Sequence, residues 1–334
     1  MDLGIEKKEN DNKIPLVVIV GPTAVGKTSI SIALAKRLKG EIISADSMQV
    51  YRYMDIGTAK PRVQERKEVP HHLIDVLDPG EPFNVAEYQR MADDAIRDVY
   101  SRGHLPIFVG GTGLYIKAVV DGFLFPDSGK DLKLRETLKH EADSFGNQHL
   151  HDKLKAVDAE AAQRIHVNDL RRIIRALEVF YTTGKPISEH QRGWDSHEPR
   201  YNSFIIGLTM EREALYERIE RRVDDMIREG LINEVKQIFS LGYSERLTSM
   251  QALGYKEIIG YLIGEYSLEN AIEILKRETR RYAKRQMTWF KRDKRINWAS
   301  LDKSQNIEEI VDKLLKLIEG NYEYLENIYR YYSS

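Results

Sequence analysis

Apolar positions in the first part of the chain follow two rhythms. Short runs rich in β-branched residues, IPLVVIV (14–20), EIISAD (41–46) and LPIFVGG (105–111), read as buried parallel strands. Between them, KTSISIALAKRLKG (27–40), closed by Gly40, and residues 85–101, followed by a turn at Gly103, carry helical periods. Strands alternating with helices predict a doubly wound α/β core. From Phe123 the rhythm changes. DLKLRETLKHEADSFG, NQHLHDKLKAVD, AEAAQRI and DLRRIIRALEVFYTTG are all helical in period, and no strand pattern returns until NSFIIGLTM (202–210). Helices are expected over 212–229, 230–241 and 268–292, then in the C-terminal segment. The expected division is a disordered lead-in (1–13), the first part of the core (14–122), a helical insertion (123–200), the completed core (201–300) and acidic C-terminal helices (301–334).

Composition adds limits. With 334 residues, 42% of them hydrophobic and 31% charged, the chain can bury a sizeable core as two domains or one core with an insertion. It has no cysteine, which removes disulfides, thiolate zinc sites and cysteine nucleophiles and suits a reducing cytoplasm. No apolar run reaches the ~18 residues of a membrane span, and the charged N-terminal stretch lacks the apolar segment of a signal peptide. The formal net charge of −1 hides an uneven distribution. Residues 276–295, KRETRRYAKRQMTWFKRDKR, hold ten Lys or Arg against Glu278 and Asp293. Such a segment is an electrostatic footprint for a polyanion or a solvated helix face.

The most specific motif follows the first strand: Gly21, four residues, then Gly26-Lys27-Thr28. Glycines let backbone N–H groups turn onto phosphate oxygens, and the start of the next helix adds a favourable dipole. Lys27 supplies a point charge and the Thr28 hydroxyl can ligate Mg²⁺. A conventional P-loop NTPase carries an Asp at the end of a neighbouring strand. Here the third strand runs into Gly110-Gly111-Thr112, and the best-placed acid is Asp46, after the second strand. Up to this point the residues favour a P-loop kinase acting on a small metabolite.

Eight blocks in order then resemble the bacterial tRNA dimethylallyltransferase family, also called tRNA isopentenyltransferases: GPTAVGKT, ISADSMQVYRYMDIGTAKP, HHLIDVLDP, VGGTGLYIKAV, NDLRRIIRALEVF, RVDDMIREGLINEV, QALGYKE and TRRYAKRQMTWFKR. The resemblance runs from about residue 15 to 298. It implies an α/β fold, a P-loop doubly wound parallel sheet core with an all-helical insertion domain and C-terminal helices. It also implies transfer of a dimethylallyl group from dimethylallyl diphosphate to N6 of adenosine 37, with Mg²⁺, in tRNAs reading codons that begin with U. The implied partner is the tRNA anticodon stem-loop, met by a cytoplasmic monomer with no membrane attachment.

By the same resemblance, Gly21, Pro22, Thr23, Ala24, Val25, Gly26, Lys27 and Thr28 cradle the diphosphate, with the amides of Thr23 to Thr28 turned onto it. Thr23 lies near the bridging oxygen, Mg²⁺ sits at Thr28, and Arg222, rather than Arg221, supplies a second cation. Asp46 is the base that takes the adenine proton; a strand-end aspartate capping Ser47 or Met48 is the plainer alternative. The flipped acceptor and its flank fall to Asp46, Ser47, Met48, Gln49, Thr112, Arg135 and the stretch Arg171, Arg172, Ile173, Ile174, Arg175. Arg277, Arg281, Lys284 and Lys291 follow one side of the basic helix, with Leu275, Tyr282, Met287 and Phe290 on its packed side. His71 and His72 are expected to pack or hydrogen-bond. A nucleotide-gated RNA-binding protein and an adenylate prenyltransferase are the other readings, each with less use for the insertion, the basic helix or Asp46. Eukaryotic tRNA members carry a zinc finger, which a cysteine-free chain cannot form in the usual way, so the bacterial type is favoured.

Overall fold

Alternate residues of the first strand face opposite layers: Leu16, Val18 and Val20 pack into one apolar cluster, Val17 and Ile19 into another. A strand buried on both faces needs helices on both sides. The computed structural model describes residues 13–123, 125, 131–192, 199–302 and 305–319. In chain order it runs through β1 (Pro15–Val20), α1 (Lys27–Leu38), β2 (Gly40–Ala45), α2 (Val63–Glu68), β3 (His71–His72), α3 (Val85–Ser101), β4 (Leu105–Gly110) and α4 (Gly113–Val120). Five helices follow, α5 (Leu132–Phe145), α6 (Asn147–Val157), α7 (Ala159–Arg164), α8 (Leu170–Thr183) and α9 (Ile187–Arg192). The sheet resumes with β5 (Asn202–Met210), then α10 (Arg212–Glu229), α11 (Leu231–Ser240), α12 (Tyr255–Leu262), α13 (Leu268–Phe290), β6 (Asn297–Leu301) and α14 (Ile307–Glu319).

The described strands form one sheet in the order β3-β2-β4-β1-β5-β6, every pairing parallel. On one face, Leu34 of α1, Ile219 of α10 and Leu314 of α14 cover Val17, Ile19 and Ile107. On the other, Ile96 of α3 and Val119 of α4 cover Leu16, Val18 and Phe108. There Tyr88 stacks on Tyr115 at 3.8 Å between centroids and donates its hydroxyl to Ser44 O at 2.8 Å. A third cluster joins Val50, Tyr51 and Met54 to α10 through α13. β1 lies inside the sheet, so the loop after it opens at the carboxyl edge, where ligands of doubly wound sheets bind.

The chain divides into two units: residues up to Val120 with those from Tyr201 onward, and Asp121–Arg200. The insertion expected from 123 therefore begins at Asp121. Its helices pack around Leu138, Leu150, Leu154, Ile173 and Leu177. Inside it Glu178 is fully buried and accepts from Arg135 Nε (2.6 Å) and Nη2 (2.7 Å), from Arg175 Nη1 (2.6 Å) and from the Asp131 amide (3.1 Å). Burial raises the pKa of that carboxyl, but the bonds from Arg135 and Arg175 outweigh it and hold it below the ordinary glutamate value.

Three expectations change. Lys39, in the left-handed region at φ 48°, closes α1; Gly40 instead opens β2, where a Cβ would meet Ile107 Cδ1 at 2.7 Å. The short β3 and the largely exposed β6 had too little apolar alternation to be read in advance. Of the segment 301–334, Leu301 belongs to β6 and Ile307–Glu319 is helical, while 320–334 lie outside the described residues, as do 1–12 of the lead-in.

At the start of β2, away from the carboxyl edge, Glu41 is buried and accepts from Arg102 Nη1 (2.5 Å) and Nη2 (2.7 Å), with His72 Nε2 at 2.7 Å. The Arg102 bonds pull its carboxyl from 4.5 down to about 2, against the burial that would raise it. A carboxyl depressed on folding stabilises above its unfolded pKa and loses that contribution as pH falls toward the folded one. Glu41→Gln should therefore cost on the order of 2 kcal/mol at pH 7, reduced by the half-exposed Arg102. Urea unfolding should show the difference from wild type shrinking below pH 4.5 and vanishing near pH 2.

Candidate active site

The turn after β1 is held by crowding. A Cβ at Gly21 would stand 2.5 Å from Leu208 O, and Ala24 (φ 63°) and Gly26 (φ 108°) both take positive φ to bring the chain into α1. Gly26 caps α1 without a side-chain hydrogen bond, and the first turn carries no acidic residue. The helix therefore presents bare N–H groups and the positive end of its dipole. The amide set is smaller than the sequence suggested. The Thr23 amide donates to Gln286 Oε1 at 2.8 Å and the Val25 amide to Pro22 O at 3.4 Å. Among the described residues, no hydrogen bond engages the amides of Ala24, Gly26, Lys27 or Thr28. Lys27 Nζ donates to Gly21 O (2.9 Å) and Pro22 O (2.8 Å). Burial lowers its pKa to about 7, Arg222 pushes the same way, and Asp46 opposes them.

A cavity of about 370 Å³ opens over this loop, lined among others by Thr23, Lys27, Thr28, Asp46, Arg218 and Arg222. Arg218 and Arg222 sit one helical turn apart on α10, so one face of that helix aims both at the loop. Neither they nor Arg221 has a carboxylate within ion-pairing distance among the described residues. Burial and the neighbouring Arg218 lower the pKa of Arg222, while Asp46 and Glu229 raise it. Arg218 was absent from the sequence reading. Its Nη2 lies 3.6 Å from the place a Cβ would take on Gly26, against the phosphate loop. Its signal was the i−4 spacing from Arg222. Arg221, expected to stay out, also lines the cavity, although it is exposed.

Asp46 follows β2. Its Oδ1 accepts from Met48 N (2.8 Å) and Gln49 N (3.3 Å), so one oxygen caps the turn as the plainer reading expected. No hydrogen bond among the described residues engages Oδ2. The neighbouring turn is laced to it: Ser47 N donates to Thr112 Oγ1 (3.1 Å), and Thr112 N to Ala45 O (3.2 Å). Met48 packs partly into the third apolar cluster. Gln49 lines the cavity, but its side chain is committed. Nε2 donates to Thr58 O (3.2 Å) and Ala59 O (3.3 Å), and Oε1 accepts from Ser44 Oγ (3.0 Å). The loop it braces is fixed from behind by Glu234, which accepts from the amides of Asp55 (2.9 Å), Ile56 (2.7 Å) and Gly57 (3.1 Å) and from Tyr255 Oη (2.6 Å). Buried Lys60 donates to Tyr51 O (2.6 Å), Asp55 Oδ1 (2.7 Å) and Asp75 Oδ1 (2.5 Å).

The other candidates separate into outer and inner groups. On α13, Arg277 and Arg281 are exposed and share Glu278, while Lys284 and Lys291 are exposed. The buried side of that helix is Leu275, Ala283, Gln286 and Phe290; Tyr282 and Met287, expected there, are half-buried. Trp289 is 41% exposed and occupies the place a Cβ at Gly113 would take. In the insertion, Arg171 and Arg172 are exposed, with Arg172 paired to Asp169. Ile173 is fully buried and Ile174 partly so. Arg135 and Arg175 are turned onto Glu178, a partner that spacing did not show. His72 hydrogen-bonds Glu41, and His71 Nδ1 lies 2.7 Å from Val69 O, the structural parts expected of them.

The profile of the family described as IPP transferase matches residues 49–293, and that described as Isopentenyl transferase matches residues 14–75. A tRNA dimethylallyltransferase of Alkaliphilus oremlandii is 52% identical over 310 residues, covering 93% of this chain and 99% of its own. Among solved structures, the full-length tRNA isopentenylpyrophosphate transferase of Bacillus halodurans is 48% identical with a TM-score of 0.68, covering 96% of this chain and all of that one. A eukaryotic dimethylallyltransferase captured acting on tRNA is 30% identical with a TM-score of 0.76, covering 92% and 80%. The phosphate loop, its cations and the long matches around them assign the chain to the IPP transferases, as a bacterial-type member of the tRNA dimethylallyltransferase family.

Proposed function

We propose that this protein transfers the dimethylallyl group of dimethylallyl diphosphate to N6 of an adenosine in tRNA, position 37 beside the anticodon, and releases diphosphate. The observation that carries the reading is one cavity lined by a phosphate loop, Lys27, Arg222 and Asp46. In the reaction the allylic C–O bond breaks as the C–N6 bond forms. The bond electrons leave with diphosphate, and the N6 proton goes to a base. Charge builds on the diphosphate, so donors fixed in advance around it lower the barrier most. The free amides of Ala24, Gly26, Lys27 and Thr28, the Lys27 ammonium and Arg222 suit that task, with Thr23 supplying a hydroxyl at the bridging oxygen. Asp46 suits the base. Oδ1 is tied to the turn, which fixes the carboxylate, and Oδ2 is left to accept the amine proton. The adenine reaches this point only when it is flipped from its stack.

A divalent cation fits the donor set in a restricted way. No group of three or more His, Cys, Asp or Glu able to hold a metal occurs among the described residues. Thr28, with Asp225 on the same cavity wall, offers one or two oxygens, which suits Mg²⁺, an ion that keeps waters and takes phosphate oxygens. Bound there, it neutralises charge on the diphosphate.

Incubation with labelled dimethylallyl diphosphate and unmodified tRNA, beside AMP and beside an ATP hydrolysis assay, should place label in tRNA alone. ATP turnover without label transfer overturns the reading. Asp46→Asn keeps the Oδ1 cap and removes the base. It should lower kcat by roughly 10²- to 10⁴-fold and leave tRNA affinity near wild type in filter binding. Equal loss of both would make Asp46 structural. Arg218→Ala should raise KM for dimethylallyl diphosphate about tenfold, while Arg222→Ala should lower kcat by about 10².

A further inference from the structure

The basic helix sends one neutral polar side chain inward. Gln286 is 6% exposed, on the same side of α13 as Ala283 and Phe290. Both ends of its amide are engaged: Oε1 accepts the Thr23 amide at 2.8 Å, and Nε2 donates to Gly111 O at 2.9 Å. One side chain thus bridges the phosphate loop and the turn after β4. That turn continues into Thr112, whose hydroxyl receives the Ser47 amide beside Asp46. Gly111 is glycine for the same reason, because a Cβ there would collide with Gln286 Nε2.

We infer that Gln286 is a positioning residue for prenyl transfer, holding Thr23 on the leaving-group side and the Gly111–Thr112 turn on the acceptor side in fixed register. The inference rests on the function proposed above. The geometry needs a donor and an acceptor on one planar group, which the glutamine amide supplies without charge at any working pH, and Asn is a methylene short. Leucine leaves two buried backbone groups without partners. Glutamate sets an anionic oxygen against Gly111 O. A group that fixes the spacing of two reacting partners acts on turnover more than on the affinity of either.

The test compares wild type with Gln286→Leu and Gln286→Glu. In Gln286→Leu, kcat should fall 10- to 100-fold while KM for dimethylallyl diphosphate and Kd for tRNA stay within about threefold. Hydrogen exchange at the Thr23 amide, read by NMR on ¹⁵N-labelled protein, should accelerate. Gln286→Glu keeps the volume. As a neutral acid it regains one donor and one acceptor, so its kcat relative to wild type should climb as pH is lowered. A Gln286→Leu variant with wild-type kcat, unchanged Thr23 exchange, or a tRNA affinity that falls in step with kcat overturns the inference, as does a pH-independent ratio for Gln286→Glu. If wild type moves no label into tRNA, the proposed function fails, yet Thr23 exchange still reports whether the bridge exists.

Discussion

Crowded positive charge is the constraint around which the carboxyl edge of the sheet is arranged. Lys27, Arg218, Arg221 and Arg222 line one cavity with the bare N-terminus of α1, and among the described residues its carboxylates are Asp46 and Asp225. Burial first, and the neighbouring cation second, weaken the hold of these groups on their protons, so Lys27 is brought down to about 7 and Arg222 is lowered as well. The fold bears this by anchoring each cation to a packed element. Arg218 and Arg222 stand beside Ile219 and Val223, both buried, and Lys27 opens a helix whose Ile30 and Leu34 are in the core.

The parts legible in the sequence were those where local pattern and tertiary role coincide. β1, the phosphate loop and α1 form a strand, a glycine turn and a helix whose apolar periods match the layers they enter, and Asn202–Met210 was readable as a strand for the same reason. Gln286 was hidden because, among ten cations, a glutamine looks like one more residue on a wet face; only the approach of the phosphate loop gives it a purpose. Arg135 and Arg175 hid a partner instead of a purpose. A guanidinium in a sequence carries no address, and Glu178, which claims both, lies amid apolar neighbours that disguise it. The closing of α1 by Lys39 shows packing overriding preference, since Gly40 was needed where β2 meets β4.

A similar logic governs the turn after β2, which lines the cavity, and the turn after β4, which is hydrogen-bonded to it. Asp46 stands in a turn whose amides its own Oδ1 has tied down, and the Ser47 amide of that turn reaches Thr112, next to the Gly111 carbonyl held by Gln286. The last two contacts join residues far apart in sequence, so this pair of turns is fully braced only when α13 has docked. A long helix that is basic outside and carries one amide inside can thereby serve the site without entering it.

The Glu234 fork has a consequence of its own. Three successive N–H groups at Asp55, Ile56 and Gly57 curve around a carboxylate, much as the phosphate loop curves toward its ligand. The protein closes this concavity with its own carboxylate, as a rivet. Folding alone therefore shuts that ring of amides to solvent anions, without a gate.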